Sequence, residues 1–191
     1  MLPVLVGASR LTQIAQKAGA DVILHDTSGL VDPAQGGASL KLAKIDLLRP
    51  SVVFAIQRDQ ELEALLTPLR RSHRARVVDL RPALMARPRK IAQRQAYRAA
   101  QFARYFASAH SLIVNWERVA VLPSPSFIYH RLAALEDASG LTLGLGVVEV
   151  VDFRAKQVEL WTPLQSLEKV DALKLGDLVL DPQTFRDQPL G

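Results

Sequence analysis

Short apolar segments alternate with helical patterns through the first half of the chain, and this alternation restricts the fold more than any other feature. Three uninterrupted apolar runs, at residues 22–24, 52–56 and 77–78, have the composition of buried strands. Apolar residues recur at helical spacing over residues 11–18, 39–48 and 59–69, and a fourth helix is expected from Pro88 to Phe106. We expect Asp59 to cap the third helix and Pro68 to end or kink it. The pattern predicts an α/β fold with a parallel sheet.

Polar loops follow the first two predicted strands. Asp26-Thr27-Ser28-Gly29 comes directly after the first, and Gln57-Arg58 comes after the second. Ligands of parallel α/β sheets bind beyond the carboxyl ends of the strands, where hydroxyl groups and a glycine can approach a ligand closely. The alternative for residues 26–29 is an ordinary turn that leads into the next helix.

The pattern changes after about residue 107, where arginine becomes sparse and short strand patterns follow one another. Strands are expected near residues 112–114, 119–122, 141–147, 158–161 and 173–180, with a hairpin turn at 152–156 and one helix near 126–136. The sequence therefore predicts two domains. Residues 1–107 form the α/β part, and residues 108–191 form a small antiparallel β domain.

Positive charge is concentrated in one block of the sequence. Eleven Lys and Arg residues lie between residues 70 and 104 against a single acidic residue, Asp79, whereas the formal net charge of the whole chain is +5. Arginine binds phosphate in bidentate fashion, so the block indicates a phosphate or nucleic-acid surface, with Arg87, Arg89 and Lys90 as candidate nucleic-acid contacts. The alternative is a solvated basic face.

Arg94 and Arg98 stand four residues apart in the fourth predicted helix, so both guanidinium groups lie on one face. Two like charges at this spacing repel each other, and a bound anion would relieve that repulsion. The alternative is again a solvated helix. Aromatic residues of the same helix are expected to face the core: Tyr97, Phe102, Tyr105 and Phe106.

Several kinds of site are excluded by the sequence itself. The chain has no cysteine, its four histidines have no ligand spacing, and it contains no HExxH, GxSxG or GxxxxGK[ST] sequence. We therefore expect no metal site. Its apolar runs are far shorter than the roughly 18 residues of a membrane span. Absence of cysteine fits a reducing compartment, and we expect a cytoplasmic protein without membrane contact.

Taken in order, these motifs resemble a known family. The matching pieces are residues 24–30 with Thr27-Ser28-Gly29-Leu30, Leu40-Lys41, residues 53–58 with Glu61-Leu62, Arg87-Pro88, Arg94-x-x-x-Arg98 and residues 102–106. The chain is similar to the polynucleotide 5′-hydroxyl kinases of the bacterial and archaeal type. This family includes the kinase-like factors of RNA cleavage and polyadenylation, tRNA splicing and pre-rRNA processing.

The resemblance implies roles for individual residues. Thr27, Ser28 and Gly29 correspond to the family's "clasp", which holds phosphates, although Leu30 replaces its tryptophan. Arg94 and Arg98 correspond to the "lid", which stabilises charge on the transferred phosphoryl group. Gln57 would border the nucleotide. The resemblance also implies ATP and Mg²⁺ as cofactors of the complete protein, and 5′ ends of RNA or DNA as substrates.

The main departure concerns the phosphate-binding glycine loop. In the family this Walker A loop and an acidic Walker B segment precede the clasp, and only 26 residues precede Thr27 here. We therefore expect an incomplete kinase-like parallel sheet, and a chain that binds ATP weakly and is inactive alone. The alternative is a non-catalytic nucleic-acid-binding module or scaffold, with a second copy or an RNA-processing protein as partner.

Overall fold

A computed structural model describes residues 2–32, 35–83, 85–86 and 90–190 of the chain. The chain divides into two compact units, Met1–Arg87 and Pro88–Gly191. This division falls about twenty residues before the predicted domain boundary at residue 107. No helix in the described ranges has both the length and the apolar character needed to cross a lipid bilayer.

The described part of the first unit contains three helices and a two-stranded parallel sheet. Its elements, in chain order, are α1 (Leu2–Lys17), α2 (Gly37–Leu48), β1 (Val52–Ile56), α3 (Glu63–Ser72) and β2 (Arg76–Leu80). Strands β1 and β2 pair in parallel, with Val52 opposite Arg76 and Ile56 opposite Leu80. The predicted α/β alternation is present here, with two strands paired among the described residues.

Helix α3 covers one face of this small sheet. Leu65, Leu66 and Leu69 are buried, as is Ala55 of β1. Ala55 lies opposite Asp79 in the sheet, and the Asp79 carboxylate accepts a hydrogen bond from Arg70 of α3. Since neighbouring strand residues point to opposite faces, Phe54 and Ile56 lie on the other face and are exposed. The expectation that this strand is buried on both faces is therefore wrong for the described residues.

Three local predictions in the first unit are also corrected. Residues 22–24 form no strand, and Val22 and Leu24 are 74% and 84% exposed, because no described neighbour pairs with them. Asp59 does not cap α3; the Glu61 carboxylate instead accepts hydrogen bonds from the backbone N–H groups of Arg58 and Asp59. Pro68 does not end α3, since it lies inside the helix, which continues to Ser72.

The second unit begins with helix α4 (Ile91–Tyr105) and a short 3₁₀ turn (Phe106–Ser108), and continues as a seven-stranded sheet. Its strands are β3 (His110–Asn115), β4 (Ala120–Leu122), β5 (Arg131–Glu136), β6 (Thr142–Asp152), β7 (Gln157–Thr162), β8 (Ala172–Leu180) and β9 (Asp187–Pro189). The order across the sheet is β3-β7-β6-β5-β8-β4, and β9 pairs with β8. All pairs are antiparallel except β4 with β8. The helix predicted near residues 126–136 is wrong, because strand β5 occupies most of that stretch.

Two buried clusters fill the second unit. One includes Leu135, Val148, Val158, Leu160 and Leu173, and the other includes Phe106, Val147 and Leu180. The ring of Phe106 stacks on Trp161 with centroids 5.1 Å apart and an interplanar angle of 12°. Phe102 of α4 packs against the same cluster, whereas Tyr97 is exposed. These aromatic contacts explain why α4 belongs to the second unit rather than to the first.

Candidate functional site

The predicted clasp residues lie in the loop between α1 and α2. Thr27, Ser28 and Gly29 are exposed, and a side chain added at Gly29 would meet no atom within 4 Å. The loop is held instead at its far end, where the first residue of α2, Gly37, lies against Leu30. A Cβ atom on Gly37 would come within 2.6 Å of the Leu30 carbonyl oxygen. The close approach of Gly37 therefore sets where the clasp loop meets α2.

Lys41 of α2 reaches back to the clasp loop. Its ammonium group donates hydrogen bonds to the Ser28 carbonyl oxygen at 2.5 Å and to the Thr27 hydroxyl oxygen at 3.3 Å. Partial burial and then the nearby charge of Lys44 lower the pKa of Lys41, while Asp26 acts in the opposite direction. The Lys41 ammonium and the Thr27 hydroxyl thus lie together at the clasp loop, and both are donors that a phosphate group can accept from.

A groove of about 360 Å³ opens at the carboxyl ends of β1 and β2, where the strand-end rule places ligands. It is lined by Gln57, Arg58, Arg81, Pro82, Ala83 and Ala86. The guanidinium of Arg58 donates to the Ala86 carbonyl oxygen at 2.7 Å, which ties the two sides of the groove together. Arg58 and Arg81 give the groove two positive charges.

Gln57 lines this groove, but its amide group is used within the protein. Its place beside a nucleotide stays a prediction. Its Nε2 donates to Glu63 Oε1 at 2.7 Å, and its Oε1 accepts from the Leu62 backbone N–H at 3.3 Å. Gln57 is therefore part of the groove wall, and Arg58 and Arg81 supply the positive charges of the groove.

Part of the basic block is neutralised by nearby carboxylates. Arg70 binds Glu63 and Asp79, each at 2.7 Å, and Arg74 binds Asp46 at 2.6 Å. Hydrogen bonds from Arg70, Gln57 and Thr67 lower the pKa of Glu63 to about 2, and the Glu63 contact raises the pKa of Arg70. These two arginines are paired within the first unit, so the charge available to a ligand is smaller than the sequence count suggests.

The predicted lid residues lie on α4 in the second unit. Arg94 and Arg98 are one helical turn apart, and both side chains are exposed. Arg98 Nε donates to Asp187 Oδ1 at 3.1 Å, whereas Arg94 has no ion-pair partner within the described ranges. A second groove of about 350 Å³ adjoins Arg98, and its walls are Gln101, Phe102, Tyr105 and Leu145.

The predicted nucleic-acid contacts are only partly visible. Arg87 and Arg89 lie outside the described residues. Lys90 precedes α4 with an exposed side chain, and its backbone N–H donates to Gln93 Oε1 at 3.0 Å. The clasp residues and Gln57 thus belong to the first unit, whereas Lys90, Arg94 and Arg98 belong to the second.

Three residues of these regions were not among the predicted site residues: Lys41, Arg81 and Asp187. Arg58 stands in the polar loop that the strand-end rule singles out after β1, and the same rule applied to β2 would have found Arg81. Lys41 and Asp187 approach their partners from positions 13 and 89 residues away along the chain, so no local pattern marks them. Throughout the described residues, no three acidic or histidine side chains gather closely enough to hold a metal ion.

The α/β unit with polar loops at its strand ends, followed by a β domain, belongs to the class with the P-loop kinase-like fold, as a comparison with a solved structure shows. A solved structure of the wild-type Clp1p–Pcf11p complex contains a chain with this fold. The two chains align with a TM-score of 0.60 over 92% of this chain and 51% of that chain, at 14% sequence identity. The predicted fold class is confirmed.

The family follows from the sequence match. The family model described as mRNA cleavage and polyadenylation factor CLP1 P-loop matches residues 4–108, and the chain belongs to this family. It is 21% identical to a polyribonucleotide 5′-hydroxyl-kinase of Pyrococcus furiosus, over 90% of this chain and 63% of that protein. It is 27% identical to a polyribonucleotide 5′-hydroxyl-kinase of Methanocaldococcus jannaschii, over 85% of this chain and 60% of that protein. The predicted family is confirmed, and the chain spans about three fifths of the length of these relatives.

Proposed function

We propose that this chain acts as part of an ATP-dependent polynucleotide 5′-hydroxyl kinase, which transfers the γ-phosphoryl group of ATP to the 5′-hydroxyl group of RNA or DNA. The observation that carries the proposal is the family match over residues 4–108. This segment contains the clasp loop, the strand-end groove and the two lid arginines. The names of the archaeal relatives agree with the proposed reaction.

Each group of residues has a proposed role in that reaction. Thr27, Ser28 and Gly29, with the ammonium of Lys41, hold phosphate oxygens at the clasp. Arg94 and Arg98 place positive charge where negative charge develops on the phosphoryl group. Phosphoryl transfer depends on such positioned cations more than on covalent chemistry by the protein. The described residues fit phosphates but offer no cluster for Mg²⁺, so we assign no metal ligand to them.

We further propose that the chain alone does not turn over ATP. A glycine loop whose backbone N–H groups cradle the phosphates is the main source of nucleotide affinity in P-loop kinases, and no GxxxxGK[ST] sequence occurs among these 191 residues. The clasp, groove and lid would then act with a segment that supplies this loop.

The test is a kinase assay with labelled ATP and an oligoribonucleotide that carries a 5′-hydroxyl group. We expect no transfer by the chain alone, and transfer by a chimera in which it replaces the matched segment of the Pyrococcus furiosus relative. In the chimera, Arg94→Ala should lower kcat about 100-fold or more, as loss of one group that stabilises transition-state charge does. Arg104→Ala removes an exposed arginine from the same helix and is the control. Turnover by the chain alone, or an Arg94→Ala chimera with unchanged kcat, would contradict the proposal.

A second candidate function is nucleic-acid binding without catalysis. The observation that favours it is a set of exposed arginines without ion-pair partners in the described part of the chain: Arg71, Arg81, Arg94 and Arg104. Binding through such groups releases counterions, so the affinity for an oligonucleotide should fall steeply as salt rises. A titration of the chain with an oligonucleotide at several salt concentrations measures this slope, and a flat response rejects the candidate.

A further inference from the structure

Arg98 is held by a carboxylate from the far end of the sequence. Its Nε donates to Oδ1 of Asp187, 89 residues away, at 3.1 Å. The two side chains differ in exposure: that of Arg98 is 51% exposed, and that of Asp187 is 13% exposed. The carboxylate is therefore the more enclosed partner, and the long arginine side chain extends toward solvent from it.

Asp187 is anchored independently of Arg98. It is the first residue of β9 and pairs with Leu180 of β8, a residue of the buried core. The turn that precedes it is closed by hydrogen bonds from the Gln183 and Thr184 backbone N–H groups to the Asp181 carboxylate. Because its backbone is fixed by the sheet, Asp187 can direct the flexible side chain of Arg98.

Asp187 binds one edge of the Arg98 guanidinium, and this determines which nitrogens remain available to an anion. A guanidinium has one donor edge that includes Nε and another formed by its two terminal nitrogens, and phosphate oxygens can bind either edge in bidentate fashion. Asp187 occupies the Nε side. In the described ranges no acceptor or carboxylate binds the terminal nitrogens of Arg98. The edge formed by the two terminal nitrogens thus remains open to an anion while Asp187 binds the Nε side.

We propose that Asp187 is a positioning residue for Arg98: it binds the Nε side of the guanidinium and so aims the terminal nitrogens at the phosphate group of the ligand. The inference rests on the proposed function, which assigns Arg98 to phosphate. A positioning role predicts that loss of the Asp187 carboxylate changes anion affinity in the direction opposite to that expected from charge alone. Removal of a nearby negative charge should strengthen anion binding by Coulomb's law, whereas loss of a positioning contact should weaken it.

The experiment is a titration of the 191-residue chain with inorganic tripolyphosphate at low salt, followed by NMR of the arginine Nε–H signals. We expect Arg98→Ala to weaken binding, and Asp187→Asn to weaken it by about fivefold, within the range measured for coupled neighbouring residues. Asp187→Asn should also shift the Arg98 Nε–H signal. Asp177→Asn removes the same charge from an exposed position in the same unit and should leave binding unchanged or slightly stronger.

The outcomes separate the inference from the function on which it rests. If Arg98→Ala leaves tripolyphosphate binding unchanged, the assignment of Arg98 to phosphate is wrong, and the positioning role of Asp187 is wrong as well. If Arg98→Ala weakens binding but Asp187→Asn leaves it unchanged or strengthens it, the positioning role alone is overturned. In an Arg98→Lys background, which lacks the two-edged fork, we expect Asp187→Asn to cause no further weakening. Should Asp187→Asn not fold, Asp187→Glu replaces it, and unchanged binding together with an unshifted Arg98 signal in that variant would overturn the proposal.

Discussion

The two units of this protein contain similar apolar segments but bury them to different extents. In the second unit, β5 to β8 lie between other strands, and their inward residues, such as Leu135 and Leu160, are fully buried. In the first unit, α1 buries no residue, and the face of β1 that carries Phe54 and Ile56 is exposed. The first unit has a small core beneath α3, whereas the second has a large one.

The difference shows that an apolar pattern specifies which element can form, while its burial depends on the neighbours that are present. Residues 22–24 are as apolar as a buried strand, yet they have no partner among the described residues and remain unpaired. A strand needs hydrogen-bonding neighbours on its edges, and a two-stranded sheet is only marginally stable in water. Stability should accordingly be concentrated in the second unit.

The largest effect expected from a single substitution is that of Phe106→Ala. Phe106 is 1% exposed and joins α4 to the sheet through its stacking on Trp161. Truncation of a buried phenylalanine costs about 3–5 kcal/mol of unfolding free energy. Both tryptophans, Trp116 and Trp161, lie in the second unit, so denaturant unfolding followed by tryptophan fluorescence measures the stability of that unit.

The control for this substitution is Arg104→Ala, an exposed position on the last turn of α4, which should change the unfolding free energy by less than about 0.5 kcal/mol. If Phe106→Ala left the fluorescence transition where it is, the end of α4 would not belong to the second unit. The boundary predicted from the sequence, after residue 107, would then be preferred to the one at residues 87 and 88.

A smaller effect is expected from Gly37→Ala in the first unit. The added methyl group would lie 2.6 Å from the Leu30 carbonyl oxygen, so the clasp loop or the start of α2 must move. Overpacking of this kind costs about 1–3 kcal/mol. Hydrogen exchange measured by mass spectrometry should show faster exchange over residues 27–41, because the loop and the contacts of Lys41 loosen together.

Gly29→Ala is the matched control, since a methyl group there meets nothing within 4 Å. It should leave hydrogen exchange over the clasp unchanged. Equal exchange in the two variants would mean that the Gly37 approach does not hold the loop, and that the clasp is no more ordered than its exposure suggests.

The sequence was sufficient for most elements of the fold. The helices α2 to α4, both strands of the parallel sheet and most strands of the β domain follow from spacing and apolar runs. The errors arose where tertiary structure overrides local pattern. Leu132 and Leu135 stand three residues apart, a spacing that also suits a helix, but pairing with β6 and β8 makes residues 131–136 a strand. The assignment of α4 to the second unit depends on the contact of Phe106 with Trp161, which lies 55 residues away in the chain.

The position of the strand-end groove was predictable and its hydrogen bonds were less so, while the part that its residues play in binding stays a prediction. The strand-end rule placed Gln57 at a groove, because chain direction alone determines which loops meet at that edge. It could not show that the Gln57 amide binds Glu63 and Leu62, since side-chain hydrogen bonds depend on the packing of α3. The charge count likewise could not show which arginines are paired, because Arg70 and Arg98 find their carboxylates on other elements.

The smallest expected effect is a dependence of the first unit on pH through Glu63. Its pKa is about 2 in the folded protein against an ordinary value of 4.5, because Arg70, Gln57 and Thr67 donate hydrogen bonds to the carboxylate. A folded-state pKa below the unfolded one means that the ionised form favours folding. This contribution to the unfolding free energy is therefore complete above pH 4.5 and is lost as the pH falls toward 2.

Glu63→Gln removes the titrating group, so the stability that this variant loses relative to wild type should be larger at pH 6 than at pH 3. Hydrogen exchange of α3 at the two pH values, corrected for the intrinsic rate, measures the difference. Thr67→Val keeps the carboxylate but removes one of its donors, and should retain the pH dependence in weaker form. An equal loss in Glu63→Gln at both pH values would show that the ionised Glu63–Arg70 contact does not contribute to the stability of the first unit.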